Sequence, residues 1–174
     1  MKKIFFLLSF SVLLLFSCSE NETDFSIATN NSMLGKWRLT DFYVEGVTKV
    51  NYQNKSIKSD VEILGKEYNF SFIFNKNNSL SVKGDFTMIN TSTTQNKSQT
   101  IEQKAQVING FGNNAKWVVE NNQLILIQNK DTLFVSISDF KEDKLILRYY
   151  ISDKNNIKGK EFEVNGIQTL TLER

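Results

Sequence analysis

The chain has 174 residues, 40% of them hydrophobic and 23% charged, with a formal net charge of +2. That length implies one domain, able to bury roughly 68–70% of its unfolded surface without a disulfide or metal. One Cys and no His exclude an intramolecular disulfide and zinc sites built from Cys and His, and they remove the commonest general base.

The chain opens on an export pattern. Lys2 and Lys3 precede an apolar run from Ile4 to Phe16, broken only by Ser9 and Ser11. The run is well short of the roughly 20 residues of a membrane-spanning helix. Residues 1–17 therefore read as a signal peptide and are set apart from the fold. Their removal takes two from the 21 basic residues and leaves them level with the 19 acidic ones. No field remains to gather nucleic acid or to steer an acidic substrate.

Leu15-Phe16-Ser17-Cys18 resembles a bacterial lipobox, which implies a lipid on Cys18 and cleavage just before it. Phe16 departs from the small residue common at its position. The other reading is a secreted protein with an incidental Cys, but the only Cys lies at the one position lipidation requires. Palmitate-type acyl chains there would give a membrane anchor, each buried methylene adding about 0.8 kcal/mol. Ser19, in place of Asp, fits sorting to a Gram-negative outer membrane. Glu20 and Glu22 resemble signals for export to the outer face, or simply solvate a linker. Residues 18–33 read as the lipidated Cys and a flexible tether.

Residues 34–174 read as strands and turns. Trp37, Leu39 and Tyr43 share one parity and Phe42 and Val44 the other, a strand covered on both faces near its end. Residues 46–65 show no clean period and read as a long connection, of the kind that forms a lid. Tyr68, Phe70, Phe72 and Phe74 alternate with polar residues. Asn75 to Asn78 supply turn chemistry, and Leu80, Val82, Phe86 and Met88 repeat the apolar face. Residues 89–100 read as a polar hairpin tip, followed by a weaker strand near 101–108. Trp117-Val118-Val119, Asn121-Asn122 and Leu124 to Ile127 make a tight hairpin. Two more strands follow, at Leu133 to Ile137 and Leu145 to Ile151. Residues 152–166 read as irregular, and Gln168 to Arg174 as a last strand. Some eight or nine strands at regular spacing, without helical periodicity, predict an all-β, antiparallel up-and-down barrel. The last strand is expected to close it against the first.

Gly35-x-Trp37, Tyr68-x-Phe70-x-Phe72, the Trp117 hairpin and Leu170-x-Leu172-x-Arg174 together resemble the lipocalin-like domain of bacterial lipoproteins, a calycin-type barrel. The resemblance implies that Gly35 and Trp37 open the first barrel strand. It also implies that a late Arg lies across Trp37 and closes one end, with Arg174 the candidate and Arg148 the reserve. A cation–π contact of this kind is worth about 0.5–2 kcal/mol. The family's helix after the eighth strand has no counterpart in residues 152–166.

Such a barrel implies a cup for a small hydrophobic ligand, lined by Phe70, Phe72, Phe74, Phe86, Met88, Trp117 and Tyr149. The plainer reading is that these side chains fill the core. The expected function is an outer-membrane-anchored lipoprotein binding a small hydrophobic ligand. The alternative is a structural or protein-interaction lipoprotein with a filled core, meeting a protein partner through loops 46–65 and 89–100. Chemistry has little support. Asp139 with Asp143 and Glu161 with Glu163 read as solvated loop charges. Asp153-Lys154-Asn155-Asn156 lacks the ligand spacing of a Ca²⁺ loop. No Gly-rich phosphate loop is present, and Asp131-Thr132-Leu133 only resembles a short glycosylation sequon. The expectation is no catalytic residues, no metal, no cofactor, and a chain that is not an enzyme.

Overall fold

A computed structural model describes residues 27–108, 111–157 and 159–174. The signal peptide, Cys18 and most of the tether lie outside the described residues. A one-turn helix, α1 (Asn30–Met33), precedes nine strands. These are β1 (Gly35–Tyr52), β2 (Lys55–Phe74), β3 (Leu80–Thr94), β4 (Lys97–Ala105), β5 (Lys116–Glu120), β6 (Gln123–Gln128), β7 (Asp131–Phe140), β8 (Lys144–Ile157) and β9 (Lys160–Glu173). All ladders are antiparallel and form one sheet in the order β4-β3-β2-β1-β9-β8-β7-β6-β5. The all-β, up-and-down architecture is the one the strand spacing predicts.

The first strand does pair with the last, from Arg38 with Glu173 to Asn51 with Glu161. The sheet nevertheless does not close, because its two ends, β4 and β5, form no ladder with each other. Among the described residues, backbone bonds bridge the gap at the base. There Leu80 N–H donates to Ala115 O at 2.8 Å, and Trp117 N–H donates to Asn78 O at 2.9 Å.

Three segments, expected as a long connection, a hairpin tip and an irregular stretch, are largely strand. Residues 46–65 are the far half of β1 and the near half of β2, joined by Gln53 and Asn54 at φ 46° and 63°. Residues 89–100 run through β3 and β4 around Gln95 and Asn96, at φ 49° and 62°. Positive φ at both central residues is the hairpin turn whose twist matches its strands. Asn121 and Asn122 make the same turn, at the place their sequence predicts. Residues 152–166 belong to β8 and β9, which places Glu161 and Glu163 in a strand; Asp139 likewise lies in β7. These long hairpins hid their period because neither face of them is fully buried.

The expectation that β1 is covered on both faces is also corrected. Register shifts interrupt its ladders with β2, between Arg38 and Tyr43, and with β9, between Leu39 and Asp41. This bulge flips the alternation, so Phe42 and Val44 return to the inner face with Trp37 and Leu39. β2 has its own irregularity between Lys66 and Asn69, where Glu67 takes φ 55°. Tyr68 fills the gap between the two bulges: its hydroxyl accepts a bond from Phe42 N–H at 2.9 Å. Its ring needs Gly65 beneath it, since a Cβ there would come within 2.7 Å of Tyr68 Cε1.

Candidate functional site

The inner surface divides into a filled base and an open upper half. In the base, Phe70, Phe72, Phe74, Phe86 and Trp117 are all buried. Their rings touch: Phe70 and Phe72 at 5.3 Å, Phe70 and Phe86 at 5.5 Å, Phe74 and Trp117 at 5.1 Å. Phe42 and Phe111 complete the cluster, 5.1 Å from Phe86 and 5.5 Å from Phe72. Such tilted and edge-to-face pairs add about 0.5–1.5 kcal/mol each beyond area burial. Five of the seven side chains proposed as cup walls are therefore packing partners of one another. Met88 and Tyr149 differ: both are half-buried and lie at the upper margin of the core.

The lower end of the base is held by Trp37 and Arg174. Arg174 Cζ lies 4.5 Å from the Trp37 ring centroid. Its Nη2 also donates to Ser32 O at 2.5 Å and Leu34 O at 3.2 Å. Trp37 Nε1 donates to Met33 O at 2.9 Å, so α1 is tied under the same ring. Gly35, at φ 114°, lets the chain turn from that helix into β1. Arg148 is elsewhere, paired with Ser136 and Thr169 across its neighbouring strands.

Above the base only six strands continue. The β7–β8 ladder stops at Ser136 with Arg148, and beyond it β8 pairs with β9 alone. Strand alternation and the printed registers give the inner face of this upper sheet row by row. The first row reads Ile101, Asn90, Ile63, Val44, Gln168 and Tyr149. The second reads Gln99, Ser92, Val61, Gly46, Gly166 and Ile151. The third row reads Lys97, Thr94, Ser59, Thr48, Val164 and Asp153, and the fourth holds Ile57, Val50, Phe162 and Asn155. The opposite face carries further charges, among them Lys49, Lys58, Glu163 and Lys154. There Lys154 pairs with Glu161 at 3.0 Å. That bond, with a second from Asn51, holds the Glu161 carboxyl below its usual pKa.

Sequence reasoning missed this inner face, though a period of two was present. Ile57, Val61 and Ile63 share a parity, as do Phe162, Val164, Gly166 and Gln168. Two glycines and several hydroxyls interrupt the pattern. The described pockets are open clefts. One of about 430 Å³ lies outside the β1–β2 gap, against Lys36, Arg38, Asn69 and Ser71. Another of about 350 Å³ lies at the β1–β2 turn around Tyr52. Among the described residues no group of three or more acidic, Cys or His side chains could hold a metal. No described helix is long and apolar enough to cross a membrane.

The sequence matches no family model and no curated protein. Among solved structures it is similar to the S-type phycobiliprotein lyase CPES from Guillardia theta. That match has 8% identity and a TM-score of 0.28, over 83% of this chain and 90% of the other. The matched protein is titled a lyase, and the expectation that this chain is not an enzyme is withdrawn. A similarity this distant carries no argument about the activity of the present chain.

Proposed function

We propose that the chain is an outer-membrane lipoprotein, anchored through Cys18, that binds a small hydrophobic ligand on the inner face of its upper sheet. The observation that carries the binding half is the contrast between base and upper face. In the base the aromatic side chains are buried against one another, whereas the same inner surface continues upward through Ile63, Val61, Val164 and Phe162 as half-buried apolar side chains. Apolar side chains left half-exposed on one face, interspersed with polar ones, are the kind of surface that takes a ligand or partner. Met88 and Tyr149 are the two original cup candidates that border it. The anchor reading rests on Lys2-Lys3, the apolar run and the position of Cys18; attached acyl chains would hold the domain at a membrane surface.

Native mass spectrometry on the full chain carrying Cys18→Ser tests the binding half. A reproducible added mass, lost on organic extraction, is the expected result. A clean mass, unchanged by fatty esters, retinoids or haem, would overturn ligand binding. It would turn attention to a protein partner on exposed Ile57 and Ile157. Metabolic labelling with a palmitate analogue tests the anchor. Label should enter the wild type and be absent from Cys18→Ser.

A further inference from the structure

We infer that the outward face of β5 to β8 docks on a lipid surface, the bilayer that holds the anchor. The inference rests on the anchor reading above and names the face that meets the membrane. One outward row is apolar across five strands. Val118 pairs with Ile125, and Ile125 with Phe134. Phe134 and Tyr150 each stand two residues beyond Ser136 and Arg148, the last β7–β8 pair, and Tyr150 pairs with Ile167. Phe134 is 56% exposed and Tyr150 65%. Ile127, in the next row along β6, is also outward and 43% exposed. The inward neighbours Trp117, Leu124, Leu126 and Val135 are buried, so a packed base carries the row.

The course of the chain names the occupant. The first described residues meet the fold at the free edge of β5, where Val119 N–H donates to Asn30 Oδ1 at 2.6 Å. Ile27, three residues earlier, is 78% exposed. Val118, the residue before Val119, starts the apolar row. Cys18 lies nine residues before Ile27, a stretch of at most about 32 Å when fully extended. Acyl chains on Cys18 therefore hold the edge of β5 within that reach of the bilayer, and the row that starts there is the apolar surface nearest to it in the chain.

Charge along the row agrees. Past Ile167 it continues as Glu45 on β1 and Glu62 on β2, acids that an anionic lipid surface repels and that lose hydration on contact with it. Over β5 to β9 the row itself holds no charge. The rows beside it hold Lys116 opposite Ile127, and Arg148 and Glu120 at the two ends of the other. Arg148 makes no ion pair among the described residues. Single outward apolar residues need no account, but a row with Phe, Tyr and Ile exposed together marks a protein or membrane contact. Phe and Tyr with long cations at the margin suit the headgroup boundary, where the rings and stems meet acyl chains and the polar ends meet water.

The test reads which face touches lipid. The acylated protein is placed in vesicles of phosphatidylethanolamine and phosphatidylglycerol that carry a nitroxide-labelled lipid. Ile127→Cys and Leu64→Cys each supply one free thiol for a fluorescent bimane label, because the lipid occupies the Cys18 sulfur. Leu64 is outward on β2, four strands from β7, and at 44% exposure matches Ile127. The Ile127 label should lose more than half of its fluorescence to the nitroxide and the Leu64 label little. Adding Phe134→Asp and Tyr150→Asp, both at exposed positions that tolerate change, should restore the Ile127 signal while the protein still floats with the vesicles. Equal quenching at the two positions, or quenching at Ile127 that survives both Asp substitutions, would overturn docking through this face and leave the row to a protein partner; flotation would then still support the anchor. A mass without acyl chains would remove the anchor reading. The two labels are then compared in Cys18→Ser protein added to the same vesicles, where equal quenching would overturn this inference too and stronger quenching at Ile127 would uphold it alone.

Discussion

Strand β1 runs through both halves of the molecule, and its two ends behave differently. At the base, Trp37, Leu39, Phe42 and Val44 are buried. At the far end, Val50 is half-buried and Tyr52 is 43% exposed on the same inner face. The side chains are of similar kind. What differs is the layer opposite. At the base Phe140 of β7 packs on Trp37, and Phe111 and Trp117 pack on Phe72 and Phe74 of the neighbouring β2, whereas beyond Ser136 the β7–β8 ladder has ended. An apolar row becomes core only where a second wall faces it, which is why the lower rows set stability and the upper rows remain available for binding.

The sharpest test of this contrast is a pair of truncations. Phe72→Ala, in the base, should cost about 3–5 kcal/mol, the range for a buried aromatic. Ile57→Ala, in the upper sheet and 52% exposed, should change stability by less than about 0.5 kcal/mol. Urea unfolding measures both, and similar losses at the two sites would break the division. Amide exchange should agree, slow in the base and fast toward Gln53 and Gln95.

Tyr68→Phe comes next, because it tests the junction of the two halves. Removing the hydroxyl leaves Phe42 N–H unpaired, at a cost of about 1–3 kcal/mol. Burial raises the Tyr68 pKa, partly offset by the bond from Phe42. An acid raised in the folded state keeps its proton while the unfolded chain ionises. Its contribution is therefore full below the ordinary value of 10.0 and is lost as pH rises through the folded pKa. Wild type should lose stability relative to Tyr68→Phe in that alkaline window. Parallel curves for the two proteins would count against the assignment.

Arg174→Met should cost about 0.5–2 kcal/mol through the lost contact with Trp37. A melting curve that overlays wild type would show that α1 and the Trp37 ring hold without it. The smallest effect belongs to the charged outer face. Glu161 is held below its ordinary value of 4.5, first by Lys154 and then by Asn51. A depressed carboxyl contributes above its unfolded pKa and loses that contribution as pH falls through the folded one. Being exposed, it should barely move the melting temperature. Its carboxyl-carbon NMR titration should still fall below 4.5, and a midpoint at or above that value would remove the pair.

How much of this was legible follows burial. The Tyr68 to Phe74 alternation, the Asn75–Asn78 turn and the Asn121-Asn122 hairpin read directly, because one face of each strand is dry and each turn uses Asn. Residues 46–65, 89–100 and 152–166 did not read as strands. Their turns begin with Gln or fall near Gly159, and both their faces meet water. The aromatic candidates for a cup were correctly read as inward-facing. That they fill the base was one of two readings the sequence left open.

By itself, the sequence determined the class of fold and the inward aromatic rows, because period-two burial and turn chemistry are local. It could not determine where the sheet stops closing, which rows lack an opposite wall, or that the chain enters beside an outward apolar row. Those follow from two bulges, the early end of the β7–β8 ladder and the bond from Val119 to Asn30. Each depends on residues distant in sequence meeting in space.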